Sequence, residues 1–140
     1  MISKNKEAIT EDLKESWSYK MPKYVVGDVF SGKFAKLKIR KLDKAFKSIA
    51  QLIQLHCDKE GVNYAGYYHL YTDSGIGDGT SILIIDARTG VSYLAPKAIS
   101  IQYSSKSRIF RIFPQNIETK HEDYVWMEET KEFIREADAQ

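Results

Sequence analysis

The fold of this chain is decided by residues 61–96, GVNYAGYYHLYTDSGIGDGTSILIIDARTGVSYLAP. Residues 63–72 are rich in tyrosine, and aromatic side chains favour a strand on a half-buried pleated surface. Ile82 to Ile85 form an unbroken apolar run, which at this length predicts a strand buried on both faces. The glycine-rich loop between them permits positive φ values. A short turn then leads to a third strand at 91–95, so the stretch predicts a three-stranded antiparallel meander.

A helix at residues 42–58 is predicted to pack on one face of this meander. Asp43 fits the N-cap position, and Gly61 lies just past the expected end. We expect Phe46, Ile49 and Ile53 to contact the sheet. The apolar stripe from which this helix is predicted follows helical spacing and consists of Leu42, Ala45, Phe46, Ile49, Leu52, Ile53 and His56.

Further strands are predicted on either side of the meander. Segments 24–30 and 34–40 predict a strand pair around a Ser-Gly turn. In the second segment apolar residues alternate with Lys36, Lys38 and Arg40, so one face is expected to be buried and the other basic. Four more strands are predicted at 99–103, 108–113, 124–127 and 132–135.

The N-terminal residues predict a helical extension at 1–20. Ile9, Leu13 and Trp17 recur at i, i+4 and i+8, which is the pattern of an amphipathic helix. Pro22 is expected to end this segment. Together these elements predict one α+β domain over residues 1–140, mainly an antiparallel β-meander sheet with one packed central helix and an N-terminal helix.

Composition favours a globular protein of the cytoplasm. The 43% hydrophobic and 29% charged residues lie near globular averages. The longest apolar run is far shorter than the ~20 residues that a membrane-spanning helix needs, so no membrane role is expected. Cys57 is the only cysteine, which excludes an internal disulfide. Because the first residues also lack the apolar core of an export signal, we expect a cytoplasmic protein.

Charge is distributed unevenly although the net charge is only +2. Residues 33–47 carry seven lysines and arginines against one aspartate, a net charge of +6. Residues 115–140 carry three basic and eight acidic residues, a net charge of −5. A solvated surface is the commonest reason for a charge run, but such asymmetry also steers charged partners to one face.

Motifs for catalysis and ligand binding are incomplete. Residues 27–34 nearly spell a phosphate-binding P-loop, but Phe34 replaces the required hydroxyl and a strand is predicted to follow. The glycine-rich loop lacks the alternating carboxylates of a calcium site. The three histidines lie at unrelated spacings, and Cys57 lies at a helix end, where a buried apolar role is commoner than a nucleophilic one. No catalytic residue, metal site or cofactor is predicted.

Three stretches of the sequence follow one another in this order: Phe30-Ser-Gly-Lys-Phe-Ala35, Asn63-Tyr-Ala-Gly-Tyr-Tyr68 and Ile85-Asp-Ala-Arg-Thr-Gly-Val-Ser-Tyr93. They resemble the Tyr-x-Gly-Lys-Pro-Ala, Asn-Phe-Ala-Gly-His-Tyr and Ile-Asp-x-x-Thr-Gly-x-x-Tyr pattern of a group of small bacterial proteins, mostly uncharacterised and many with export signals. The closing Tyr124-Val-Trp-Met127, followed by Lys131-Glu-Phe133, is similar too, so the likeness spans roughly residues 24–135. It implies a shared fold but no activity. Tyr67 stands where His is usual, and residues 74–80 lack the group's cysteine pair. The chain thus looks like a cytosolic, cysteine-poor member.

These observations predict a binding protein without catalytic activity, specifically a bacterial immunity protein that neutralises a toxin by covering its active surface. The acidic C-terminal region suits the basic substrate cleft of a nuclease toxin. Outward-facing tyrosines of the first strand suit partner contacts, although core packing accounts for most of them. The residues expected to contact the partner are Glu118, Glu122, Asp123, Glu128, Glu129, Tyr71, Asp73 and Asp78.

Two other functions remain open. A nucleic-acid-binding module would use the basic 33–47 segment to contact phosphates and the aromatic-rich sheet to stack bases. A hydrolase would assemble its site from loops, although no Gly-x-Ser-x-Gly motif is present. Salt-sensitive binding to single-stranded nucleic acid would favour the module, whereas a neighbouring toxin gene would favour the immunity protein.

Overall fold

A computed structural model describes residues 17–39, 46–73, 81–114 and 120–139. These residues form two helices and two antiparallel sheets, which confirms the α+β class. Helix α1 is described over 17–23, and α2 spans Ala50–Glu60 after a short 3-10 turn at 46–49. The first sheet contains β1 Tyr68–Asp73, β2 Ser81–Asp86 and β3 Ser92–Leu94. The second contains β4 Ser100–Tyr103, β5 Ile109–Phe113, β6 Glu122–Met127 and β7 Glu132–Arg135.

Strand β2 is buried along its whole length, as its apolar run predicts. Its side chains alternate between faces, so Ile82 and Ile84 join the core between the two sheets. Leu83 and Ile85 join a second core with Ile53 of α2. The first sheet therefore lies between α2 and the second sheet.

The second sheet is also covered on both faces. Phe110 and Trp126 pack into the core between the sheets. Ile109 and Val125, their neighbours along β5 and β6, pack with residues of α1 such as Trp17. The result is a four-layer arrangement in the order α2, first sheet, second sheet, α1. Each of the four predicted C-terminal strands is present in this sheet.

The predicted meander is confirmed, with strand order β1-β2-β3 and antiparallel pairing throughout. The first strand, however, begins at Tyr68 and not at residue 63. Ala65 and Gly66 have φ values of 52° and 82°, which turn the chain sharply instead of extending it. The Ala65 N–H donates to Ser104 O at 3.1 Å, so this turn is attached to the loop that follows β4.

Residues 24–39 do not form the predicted strand pair. The Val26 N–H donates to Lys106 O at 2.8 Å, whereas the Ala35 N–H donates to Ala87 O at 2.9 Å. The two segments therefore attach to different parts of the molecule. A strand pair requires the segments to exchange backbone hydrogen bonds, and here loops beside the sheets receive those bonds.

A side chain of α2 holds the second of these segments in place. Gln54 accepts a hydrogen bond from the Leu37 N–H at 2.6 Å, which is a bond that a strand partner would otherwise supply. The predicted basic face is present in part, because Lys36 and Lys38 are exposed. Arg40 lies outside the described residues.

The start of α2 and the end of α1 differ from their predictions. Helix α2 begins at Ala50, and Asp43, the predicted N-cap, lies outside the described residues. Gly61 does follow its last residue, with φ 68°. Leu52 is 46% exposed, so the apolar stripe is narrower than predicted. Pro22 lies within the last turn of α1 and does not end it, since the helix continues to residue 23.

Truncating the two-sided core at β2 should be costly. We expect Ile84→Ala to lower the free energy of unfolding by about 2 to 5 kcal/mol, because Ile84 is fully buried and its removal leaves a cavity. Leu94→Ala on β3 is the matched control, since Leu94 is 49% exposed. Urea denaturation of both variants measures the difference. Equal losses would contradict the layer arrangement.

The hydroxyl of Tyr24 should contribute nothing to stability. It is buried and has no hydrogen-bond partner among the described residues. A buried donor left unsatisfied carries a desolvation penalty, so we expect Tyr24→Phe to be neutral or to stabilise by about 1 kcal/mol. Thermal and urea unfolding measure this change. A loss above about 1 kcal/mol would indicate a partner for the hydroxyl.

Candidate functional site

Asp123, one of the predicted partner contacts, is enclosed in the structure. Arg111 donates to both of its carboxylate oxygens, at 2.7 and 3.0 Å. Lys20 of α1 donates to Oδ2 at 2.6 Å, and His121 Nδ1 lies 3.1 Å from Oδ1. Burial alone would raise the pKa of Asp123, but the hydrogen bonds from Arg111 and Lys20 outweigh it and lower the pKa to about 2. Asp123 therefore anchors α1 to the second sheet.

Glu128 receives four donors on one carboxylate. Tyr68 Oη and Trp126 Nε1 donate to Oε2 at 2.7 and 2.9 Å. Arg88 and Lys131 donate to Oε1. Burial alone would raise the pKa of Glu128, but these donors together lower it to about 2. Because Tyr68 lies on β1 and Trp126 on β6, this carboxylate joins the two sheets at their edge.

Arg88 extends the same network into the turn between β2 and β3. Its guanidinium donates to both oxygens of Asp86, each at 2.9 Å. Its guanidinium lies over two rings, with Cζ 4.1 Å from the centroid of Tyr67 and 5.9 Å from that of Tyr68. The Asp86 hydrogen bonds come first among the causes that raise the pKa of Arg88. The hydrogen bonds of Arg88 to Asp86 and Glu128 and its stacking on Tyr67 therefore hold the turn between β2 and β3 in place.

The other predicted contact residues differ in their exposure and in their contacts. Glu122 accepts from Arg135 at 3.1 Å. Glu129 is exposed in the turn between β6 and β7. Tyr71 is half-buried with its ring 5.5 Å from that of His56, and Asp73 is half-buried at the end of β1. Glu118 and Asp78 lie outside the described residues.

A cleft of about 480 Å³ opens between the 30–34 loop and the C-terminal end of α2. Its apolar walls come from Phe30, Phe34 and Val62, and its polar groups include Lys33, Asp58 and Glu60. The carboxyl end of a helix adds partial negative charge at this position. The lining residues are Phe30, Ser31, Gly32, Lys33, Phe34, Cys57, Asp58, Glu60, Gly61 and Val62.

A buried histidine lies against the C-terminal end of α2. His69 on β1 has only 2% of its side chain exposed, and its Nδ1 lies 2.7 Å from Gly61 O. A carbonyl oxygen only accepts, so Nδ1 carries the hydrogen. Burial comes first among the influences on His69 and lowers its pKa below 6.5, which favours the neutral ring. Its Nε2 lies 3.9 Å from Glu60 Oε2, beyond hydrogen-bond distance.

No spacing in the sequence predicts this cleft, because its groups belong to a loop and to a helix end that are distant in the sequence. The stretches behind the bacterial resemblance do converge beside it. The Phe30 N–H donates to Gly66 O at 2.7 Å, the Ala35 N–H to Ala87 O at 2.9 Å, and the Ala87 N–H to Tyr67 O at 2.8 Å. These three bonds join all three stretches beside the cleft.

Three observations concern the thiol, phosphate and metal chemistry considered in the sequence. Burial, followed by the charges of Asp58 and Glu60, raises the pKa of the Cys57 thiol to about 12, so its thiolate is scarce at neutral pH. Residues 34–39 after Lys33 contain no helix, so the helix N-terminus of a P-loop is missing there. Across the described ranges, no group of three His, Cys, Asp or Glu side chains is arranged to hold a metal.

Comparison of the chain with protein-family models, with curated proteins and with solved structures finds no match. The resemblance stated above therefore rests on the motif residues alone. None of the helices in the described part of the chain is long and apolar enough to cross a membrane.

The Asp123 cluster predicts a specific acid sensitivity. We expect Asp123→Asn to lower the free energy of unfolding at pH 7 by about 2 to 4 kcal/mol, because it removes the charge that accepts hydrogen bonds from buried Arg111 and from Lys20. The ionised Asp123 contributes stability above its usual pKa of 3.8, and this contribution is lost as the pH falls towards about 2. Urea denaturation across this range should show the two proteins converging. Glu129→Gln is the exposed control, and an unchanged gap at low pH would contradict the assignment.

Proposed function

We propose that this chain is a cytoplasmic bacterial immunity protein that neutralises a cognate toxin by direct binding, without catalysis. One observation supports the proposal. The hydrogen bonds of Glu128 hold the turn between β6 and β7 in place, and this turn presents exposed acidic side chains. Glu129 and Glu132 are exposed there, and Glu128 is 34% exposed. We name these three residues the acidic tip. A surface that is already ordered loses little entropy on binding, which favours a protein partner.

The acidic tip is narrower than the surface expected from the sequence. Asp123 is left out of the proposed partner contacts because its carboxylate oxygens already accept hydrogen bonds from Arg111 and Lys20. Glu132 is added because its side chain is exposed beside Glu129. Complementary charge acts mainly on the rate of encounter, so the carboxylates of Glu129 and Glu132, held at a rigid tip, suffice to steer a basic toxin.

The backbone of the acidic tip supports this role. Lys131 has φ 57°, a left-handed conformation that is uncommon for a residue with a side chain. Two contacts hold it there, since its N–H donates to Met127 O at 2.8 Å and its ammonium binds Glu128. A glycine would adopt this φ without strain but would carry no charge. The ion pair with Glu128 is therefore the reason for a lysine at this position.

The nucleic-acid module remains the second candidate on one observation. Lys33, Lys36 and Lys38 are exposed along one loop segment and suit phosphate contacts. The second half of that hypothesis loses support, because Tyr64 and Tyr68 are fully buried between the sheets. Their rings cannot stack on bases unless the core opens.

The cytoplasmic location is part of the proposal. Cys57 is the only cysteine and is fully buried, so the protein neither requires nor offers a disulfide. This agrees with a reducing compartment, where a nuclease toxin would also meet its substrate.

The test pairs two charge-reversal variants of similar size. Glu129→Lys with Glu132→Lys alters the acidic tip, and Lys36→Glu with Lys38→Glu alters the basic segment. We expect the first to slow association with the toxin encoded beside the gene by about tenfold at low salt, and less at higher salt. The second should leave association unchanged. Co-expression with that toxin measures protection, and stopped-flow mixing measures association.

Opposite responses of the two variants would refute the proposal. If only the basic-segment variant loses binding, and a single-stranded oligonucleotide competes for the wild type, the nucleic-acid module is correct. Failure of the wild type to protect cells or to form a complex with the toxin would exclude immunity against it. Circular dichroism of all variants checks that each substitution leaves the fold intact.

A further inference from the structure

Strand β1 lies at an edge of the first sheet, and half of its backbone groups point away from that sheet. The Ala87 N–H, just beyond β2, donates to Tyr67 O at 2.8 Å. Neighbouring residues of a strand direct their backbone groups to opposite sides, so the odd-numbered residues of β1 bond to β2. Leu70 and Thr72 therefore direct their N–H and C=O groups outward. Within the described ranges, no strand of either sheet pairs with β1 on that side.

The side chain of Asn63 covers this outer edge at Leu70. The Leu70 N–H donates to Asn63 Oδ1 at 2.6 Å, and Asn63 Nδ2 donates to Leu70 O at 3.3 Å. One amide group thus supplies both hydrogen bonds that a neighbouring strand would supply. The outward residue before it is also paired, because Tyr68 and Tyr64 exchange backbone hydrogen bonds of 3.0 Å. Thr72, the next outward residue, is exposed.

The sequence of β1 offers no other protection for this edge. Unpaired backbone groups at a sheet edge are a template on which another chain can add a strand, and proteins usually prevent this with charged residues or proline. From Tyr68 to Thr72 the strand has no lysine, arginine, glutamate, aspartate or proline. Edge strand β7, by contrast, exposes Glu132 and Arg135. The edge of β1 therefore depends on the Asn63 amide.

We propose that Asn63 blocks strand addition at the outer edge of β1, and that the partner it excludes is a second copy of this chain. In an antiparallel pair about a two-fold axis, Leu70 of one copy lies opposite Thr72 of the other, and the two Tyr71 residues face each other. The outward backbone groups of both residues are then paired, and no like charges meet between positions 70 and 72. The inference is independent of the proposed function.

The test removes the amide and measures self-association. We expect Asn63→Ala to self-associate about tenfold more strongly than the wild type in sedimentation over a concentration series, because the outer edge of β1 is then open. Amide hydrogen exchange locates the contact. Exchange at the Thr72 N–H should slow as the concentration of the variant rises, and should not change with the concentration of the wild type.

Gln54→Ala is the matched control, because Gln54 makes the same kind of contact away from the sheets. Its amide accepts from the Leu37 N–H at 2.6 Å and donates to Ala35 O at 3.4 Å. Its removal loses similar hydrogen bonds but opens no strand edge. We therefore expect Gln54→Ala to lose stability and to self-associate no more than the wild type.

A second substitution tests whether the new contact uses backbone hydrogen bonds. Proline has no N–H, and the outward N–H of Thr72 is not part of the ladder with β2. Thr72→Pro added to Asn63→Ala should therefore return self-association to the wild-type level. If Asn63→Ala does not fold, Asn63→Ser replaces it, since a serine hydroxyl is too short to reach both groups of Leu70.

Three results would overturn the inference. In the first, the Asn63 variant loses stability but associates no more than the wild type, which makes Asn63 a structural contact alone. In the second, Gln54→Ala associates as strongly as the Asn63 variant. In the third, Thr72→Pro leaves the association of the Asn63 variant unchanged. Urea denaturation of each variant measures stability separately from association.

Discussion

The burial of β2 on both faces is the constraint on which the other layers depend. Ile82 and Ile84 point to the second sheet, while Leu83 and Ile85 point to α2. A strand with two apolar faces is stable only if both are covered, so the chain must supply a helix on one side and a sheet on the other. The second sheet then presents its own outer face, which α1 covers through Trp17 and its neighbours. The four-layer order follows from this sequence of requirements.

Two acids of the C-terminal region, Asp123 and Glu128, serve the fold. Asp123 attaches α1 to the second sheet, and Glu128 joins the edges of both sheets. A buried carboxylate with several hydrogen-bond donors keeps its charge, whereas a buried charge that loses its partner destabilises the folded protein. The same pairing orders the turn that carries Glu129 and Glu132. Stability and the proposed binding surface therefore share one set of contacts.

Close packing of backbone on backbone frames the cleft. Gly90 has φ 80°, and a Cβ added there would lie 1.9 Å from Lys36 O. No side chain fits that contact, so the turn after β2 can hold residues 36–38 only through glycine. The Lys38 N–H donates to Gly90 O at 2.7 Å and completes the attachment. The segment that precedes it forms the loop wall of the cleft, opposite the end of α2.

The sequence by itself determined the elements whose signals are local. The apolar run of β2, the short strands of the second sheet and the glycine after α2 follow from neighbouring residues, and the structure confirms them. It did not determine where residues 24–39 pair, which acids stay free, or that Glu60 faces His69. Those outcomes depend on contacts between distant residues, as between Lys20 and Asp123, 103 positions apart, or Tyr68 and Glu128, 60 apart. A charge has no partner until the chain has folded, so only the tertiary structure decided which side chains hold the fold and which remain to bind.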